Sequence, residues 1–219
     1  MHYSCVQSRS QCPRRTRTRG FRGAVRAFTN GVRRGGCSGT LDRGLQRPME
    51  LHGFWRSQAS HRVRIALAIK GLDYRAIPVT LFGTEPANRT AQYRALNPQG
   101  LVPTLVDGRV SISQSMAIIE YIDECYPEPP LMPETAAERA LARQFAQMVV
   151  CDIQPMNNLR VLQYLRRTLG VDEEAKDRWY RHWILEGFDA IELWLTSLRH
   201  AGPYALGGAV TLADVCLVP

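Results

Sequence analysis

The chain has 219 residues, 45% apolar and 22% charged, which is ordinary for a globular protein with material for one or two domains. No apolar run approaches the roughly 18 residues that span a membrane as a helix, which argues against an integral membrane protein. The formal charge of +8 would suggest nucleic acid as a partner, but residues 1–48 hold 11 Arg, no Lys and one acid, Asp42, leaving 17 basic and 19 acidic residues in 49–219, a net of −2.

Six cysteines are scattered at Cys5, Cys12, Cys37, Cys125, Cys151 and Cys216. They form no C-x-x-C pair and no zinc-like Cys/His spacing, so no metal site is expected and a reducing, cytoplasmic compartment fits.

Residues 1–48 are rich in Arg, Gly, Ser and Thr with almost no apolar periodicity, and read as a disordered basic extension. Three origins remain open: a targeting peptide, a nucleic-acid arm poor in aromatics, or sequence upstream of a true start. Met49 opens a clean strand-like segment, so the expectation is that translation begins there.

Glu50 to Trp55 reads as a strand. A small polar elbow follows, Arg56, Ser57, Gln58, Ala59 and Ser60, then a helix from Val63 to Lys70 closed by Gly71. A strand feeding a polar turn and a helix N-terminus is a ready anion site, because the first helical N–H groups lack internal acceptors. The same serines also suit plain helix capping. Tyr74 to Leu81 returns to strand character, and Pro78 makes it an edge strand.

Ala91–Leu96 reads as a short helical turn before Asn97-Pro98-Gln99-Gly100. Asp107-Gly108, between Leu105-Val106 and Val110/Ile112, signals a β-hairpin, with a candidate cis bond at Val102-Pro103. Ser115 is placed to cap the helix MAIIEYIDECY. The order β-α-β-α-β-β-α, with Val-Pro before the hairpin, is a thioredoxin-like plan.

Pro127, Pro129, Pro130 and Pro133 mark a linker, after which only helical patterns occur: Ala136–Val150, Ile153–Leu165 bent or begun near Pro155, and Arg178–Leu198 with Trp179, Trp183, Phe188, Leu193 and Trp194 as apolar positions. Thr211-Leu-Ala-Asp214 is a capping-box variant that announces a helix near Leu212. The sequence ends at Pro219 within about two turns of it, and a truncated helical domain is expected.

Five segments in this order, WRSQASHRVRIALAIKGLDY, ALNPQGLVPTL, SQSMAIIEYIDE, CDIQPMNNLRVL and TLADVCLVP, resemble the zeta-class glutathione transferases, the family that includes maleylacetoacetate isomerases and bacterial maleylpyruvate isomerases. The resemblance implies an α/β plus all-α fold: a thioredoxin-like glutathione-binding domain over 49–129 and an incomplete helical domain over 134–219. It implies glutathione as cofactor, a maleyl diketo acid as substrate and a homodimer, with no nucleic-acid or membrane partner.

Residue by residue, it assigns Ser57 to the glutathione thiolate and Gln58, Ala59, Ser60, His61 and Arg62 to the same wall. Val102 would pair its backbone with the glutathione cysteine, and Gln114 and Ser115 would take the γ-glutamyl carboxylate. Asn88, Gln154 and Asn158 complete the glutathione contacts, and Arg56 is a clamp for a substrate carboxylate. Gln58 and Ala59 stand where the family usually carries a hydroxyl or thiol. Family members also continue past LVP into a helix bearing a substrate-binding arginine. The implied reaction is thiolate addition to the cis double bond, rotation and elimination, without a metal. Rival readings are a transferase or dehalogenase acting on halo-acids, and a non-catalytic glutathione-fold protein.

Overall fold

The computed structural model describes residues 49–198 and 202–219. The expectations for residues 1–48 lie outside the described residues.

Strand β1 (Glu50–Gly53) leads through the elbow into helix α1 (Gln58–Ile69), and β2 (Arg75–Pro78) returns parallel to β1. A single 3-10 turn, Ala87–Arg89, and α2 (Ala91–Leu96) precede the hairpin β3 (Thr104–Asp107) and β4 (Val110–Ser113), then α3 (Ser115–Cys125). The sheet order is β2-β1-β3-β4, with β1·β3 and β3·β4 antiparallel. This is the thioredoxin-like plan, with the Pro78 strand on an edge as expected.

The hairpin turn falls one residue later than the sequence suggests. Asp107 pairs with Val110, so Gly108 and Arg109 form the two-residue loop, and Gly108 has the positive φ (58°) that such loops favour at the first position.

Helix α1 begins at Gln58, five residues before the expected Val63. Its early turns carry polar residues, Ser60 and Arg62, on the buried face beside Val63, Ala66 and Leu67, so polarity conceals the helix. Its end is well signalled. Gly71 takes φ +62°, Gly71 N donates to Ala68 O at 3.1 Å and Leu72 N to Leu67 O at 3.0 Å, the paired bonds of a Schellman cap. Lys70, just before it, is buried and donates to Asp123 Oδ1 at 2.5 Å and Tyr126 O at 2.6 Å, tying α1 to the end of α3.

The remaining described elements are helical. Helix α4 (Ala136–Gln147) opens on a full capping box, Thr135 with Glu138, and runs into a π-helical segment, Met148–Ile153. After it come α5 (Gln154–Met156), α6 (Leu159–Arg167), α7 (Glu173–Leu198) and α8 (Leu212–Leu217). Helix α5 begins at Gln154 with Pro155 in its first turn, where the missing N–H costs nothing, in line with a stretch begun near Pro155, and a further break follows at Asn157-Asn158 before α6. Helix α7 starts five residues before the expected Arg178; its first turn carries Glu173 and Glu174, which suit the positive end of the helix dipole. Thr211 and Asp214 form the expected capping box on α8.

One apolar cluster joins β1, α1, β3 and α3 (Leu51, Leu67, Leu105, Ile118) to α4 and α8 (Ala142, Leu212, Val215). A second gathers Phe145, Val149, Ile153, Ile191 and Ala213. Gly187 of α7 lies so close to Ile153 that a Cβ there would overlap the Ile153 side chain. Trp194 packs on Phe145 with centroids 5.9 Å apart, but Leu193, expected as an apolar packing position, is 74% exposed.

Candidate functional site

The cross-strand row His52–Thr104–Ser113 lies at one end of the sheet. From that end leave three segments: β1 into the elbow, the Val102-Pro103 approach to β3, and β4 into Gln114 and α3. Chain register alone therefore gathers the Ser57 elbow, Val102 and the α3 N-terminus.

Ser57 is the N-cap of α1. Its Oγ accepts from Ser60 N at 3.2 Å, which leaves the hydroxyl hydrogen to donate. Gln58 and Ala59 occupy the first helical positions, and their backbone N–H groups have no partner among the described residues. The Gln58 side chain donates to Pro219 O at 3.0 Å. Ser60 is fully buried, and its Oγ accepts from Phe54 N at 3.4 Å, so it braces the elbow from beneath. His61 is exposed.

The Val102–Pro103 bond is cis, and the Val102 backbone has no hydrogen-bond partner among the described residues. Gln114 adopts φ 76°, a conformation costly for a side chain with a Cβ, and its Nε2 donates to Gln99 Oε1 at 2.7 Å. The cap position of α3 is Gln114, not Ser115 as the sequence suggests. Ser115 is the first helical residue, and its Oγ accepts from Arg62 Nη1 at 2.9 Å.

Arg62, like Ser60, lies deeper than the rest of the expected wall. It is 1% exposed and lies under the site, its Nη2 donating to Gln154 Oε1 and its Nε buried without a partner among the described residues. Burial holds its pKa below the usual arginine value, against a smaller opposing pull from Cys216 and Cys151. Cys216 of α8 is itself buried, with its thiol against Met116 Sδ at 3.5 Å and its pKa pushed up to about 11, chiefly by burial.

The other expected residues are committed locally. Asn88 Nδ2 donates to Gly100 O at 2.7 Å, bracing the turn before Val102, while Asn158 Oδ1 accepts from Arg160 N at 3.1 Å as the cap of α6. Arg56 is exposed, its guanidinium 5.6 Å from the centroid of Trp55, which is 75% exposed. Phe82 packs edge-on against Phe54 at 5.7 Å and, with Trp55, gives the elbow an aromatic border that the sequence does not single out. Arg62 stands in helical phase with Ala66, four residues on, which marks it as facing inward but points to neither of its partners.

A sequence model of the glutathione S-transferase N-terminal domain matches residues 56–125. The chain is 51% identical over 170 residues to the probable maleylacetoacetate isomerase of Vibrio cholerae, covering 77% of this chain and 78% of that one. The holo structure of a bacterial maleylpyruvate isomerase of the zeta class superposes with a TM-score of 0.73 at 47% identity, over 76% of this chain and 78% of that one. The chain belongs to the zeta-class glutathione S-transferase family. A further neighbour, the maleylacetoacetate isomerase of Methylobacterium extorquens with malonate and glutathione bound, has a TM-score of 0.72 at 36% identity, over 76% of this chain and 78% of that one. Within this family, the elbow, the cis Val102–Pro103 and the α3 N-terminus form the candidate thiol-tripeptide site.

Proposed function

We propose that this chain catalyses the glutathione-dependent cis–trans isomerisation of a maleyl diketo acid, maleylacetoacetate to fumarylacetoacetate, in the breakdown of tyrosine and phenylalanine. The observation that carries the reading is the convergence, at one sheet end, of a hydroxyl donor, an unpaired backbone edge and two helix N-termini. That donor set fits a tripeptide with a thiolate, a peptide backbone and a carboxylate. When bound, glutathione supplies a thiolate that adds to the cis double bond, lets the resulting single bond rotate, and leaves again.

In this reading Ser57 donates its hydroxyl hydrogen to the thiolate, helped by the N–H groups of Gln58 and Ala59, so that a thiol of ordinary pKa near ~8.5 ionises at neutral pH. Val102 pairs with the peptide backbone. Gln114 and Ser115 hold the γ-glutamyl carboxylate at the start of α3. Arg56 offers its planar fork to a substrate carboxylate beside Trp55. Gln154 lies at the junction below, and Asn88 and Asn158 hold the surrounding loops. We also propose a thioredoxin-like domain over 49–129 and a helical one over 134–219, a homodimer, and a cytoplasmic location. Cys125, Cys151 and Cys216 carry thiols rather than disulfides, which suits a reducing compartment.

The test is turnover of maleylacetoacetate and maleylpyruvate side by side. Ser57→Ala is expected to lower kcat/KM roughly 10- to 100-fold, one to two pKa units of lost thiolate stabilisation, with glutathione still bound. Ser57→Thr is expected to retain most activity. Unchanged turnover in Ser57→Ala would reduce Ser57 to a helix cap. Size-exclusion chromatography with light scattering tests the dimer.

A further inference from the structure

Arg62 is a buried cation with no anion. It is 1% exposed, and among the described residues no carboxylate pairs with it. Arginine does not shed its proton in a protein, so the charge persists wherever it is buried, and an unpaired buried charge is costly. Its hydrogen-bond partners are neutral: the Ser115 hydroxyl at 2.9 Å and the Gln154 amide oxygen. Its Nε is buried without a hydrogen-bond partner among the described residues. The thiol of Cys216 does not supply the missing charge, because burial keeps it protonated at neutral pH. A natural sequence that kept such a cation without compensation would lose stability for no return.

The direction of the bonds identifies the compensation. Arg62 Nη1 donates to Ser115 Oγ, so the Ser115 hydrogen is turned away from the guanidinium and is free to donate. Ser115 is the first residue of α3, an eleven-residue helix whose opening N–H groups are unsatisfied by construction. A hydroxyl polarised by a cation behind it and flanked by a helix N-terminus is a strong donor toward an anion in front.

We infer that Arg62 is a positioning residue for ligand binding: the buried counter-charge of a ligand carboxylate seated at the start of α3, felt through the Ser115 hydroxyl. The inference rests on the glutathione reading and deepens it, since the carboxylate concerned is that of the γ-glutamyl residue. The same guanidinium holds Gln154, the first residue after the π-helical segment, so occupation of the carboxylate seat also steadies α5.

The experiment is calorimetric titration with two tripeptides, glutathione and γ-aminobutyryl-cysteinylglycine, which lacks only that carboxylate. Wild type is expected to prefer glutathione. Arg62→Met is expected to weaken glutathione about 10-fold or more, the scale of a lost charge-assisted hydrogen bond, and to bind the decarboxylated tripeptide within about 2-fold of wild type. Arg62→Lys is expected to recover part of the preference. A merely structural Arg62 would weaken both tripeptides alike, and that result overturns the inference, as does an unchanged preference in Arg62→Met. Should Arg62→Met not fold, Ser115→Ala decides: it leaves the cation in place, and retention of the preference there overturns the inference. Wild type binding both tripeptides equally also overturns it, with the glutathione reading intact. Wild type binding neither ends both.

Discussion

Ser57 uses one oxygen twice. A lone pair accepts Ser60 N at 3.2 Å and starts α1, while the hydrogen stays available to a ligand. Removing it therefore has two separable effects, and Ser57→Ala is expected to cost about 1 kcal/mol of stability as a lost N-cap, measured by urea denaturation, apart from any effect on turnover. Cys216 offers a cleaner test of burial. Its pKa, pushed up to about 11, lies above the ~8.5 of a thiol in the unfolded chain. Below about pH 8.5 both states hold the proton and stability is unaffected, whereas between there and about pH 11 the unfolded chain releases it first and stability falls. Tyr93 and Tyr121, also raised chiefly by burial, act in the same direction at higher pH. Denaturation midpoints from pH 7 to 10.5 should fall, and less steeply in Cys216→Ala. In the native protein at pH 8, a thiol reagent should modify exposed Cys151 well before Cys216, read by peptide mass mapping.

At the scale of elements, the junction of α7 with the π-helical segment is the tightest test of packing. Gly187 leaves room for Ile153, and Gly187→Ala would drive a methyl into it. The expected loss is about 1–3 kcal/mol, and Gly187→Ala should cost less when made in an Ile153→Ala background, which removes both overlapping carbons, if the overlap is the cause. Asp214 closes its capping box with Oδ2 on Thr211 N at 2.8 Å and also takes Ala205 N on Oδ1 at 2.8 Å, so Asp214→Ala should cost roughly 1–3 kcal/mol, measured as a lowered Tm. That box was legible because Thr and Asp sit at the required spacing; the strands, the hairpin and Val102-Pro103 were legible from alternation and proline. The start of α1 was not, since Ser60 and Arg62 are polar residues on an inward face. The π-helical segment was not either: one extra residue per turn rotates the downstream helix face by about 100° without changing composition. Of the site, the elbow and the Gln114-Ser115 start could be read from motifs. The Arg62–Ser115–Gln154 junction could not, because its partners stand 53 and 92 positions apart.

Across the whole molecule, burial is uneven. Helices α1, α3, α4 and α8 share the main apolar cluster with β1 and β3, while α6 has no buried residue and the 26-residue α7 has one, Ile191. Hydrogen exchange measured by mass spectrometry should therefore show β1, β3, α1 and α3 exchanging slowest and α6 fastest among the helices. The four-stranded sheet carries a further consequence. Its two outer strands, β2 and β4, are four residues each; β2 ends in Pro78, which has no N–H, and β4 begins beside the charged Arg109 turn and gives way at once to α3. Neither offers a run of free backbone groups long enough to template another strand. The sheet is in this way protected against growing by addition, and self-association of the native protein is left to its side-chain surfaces.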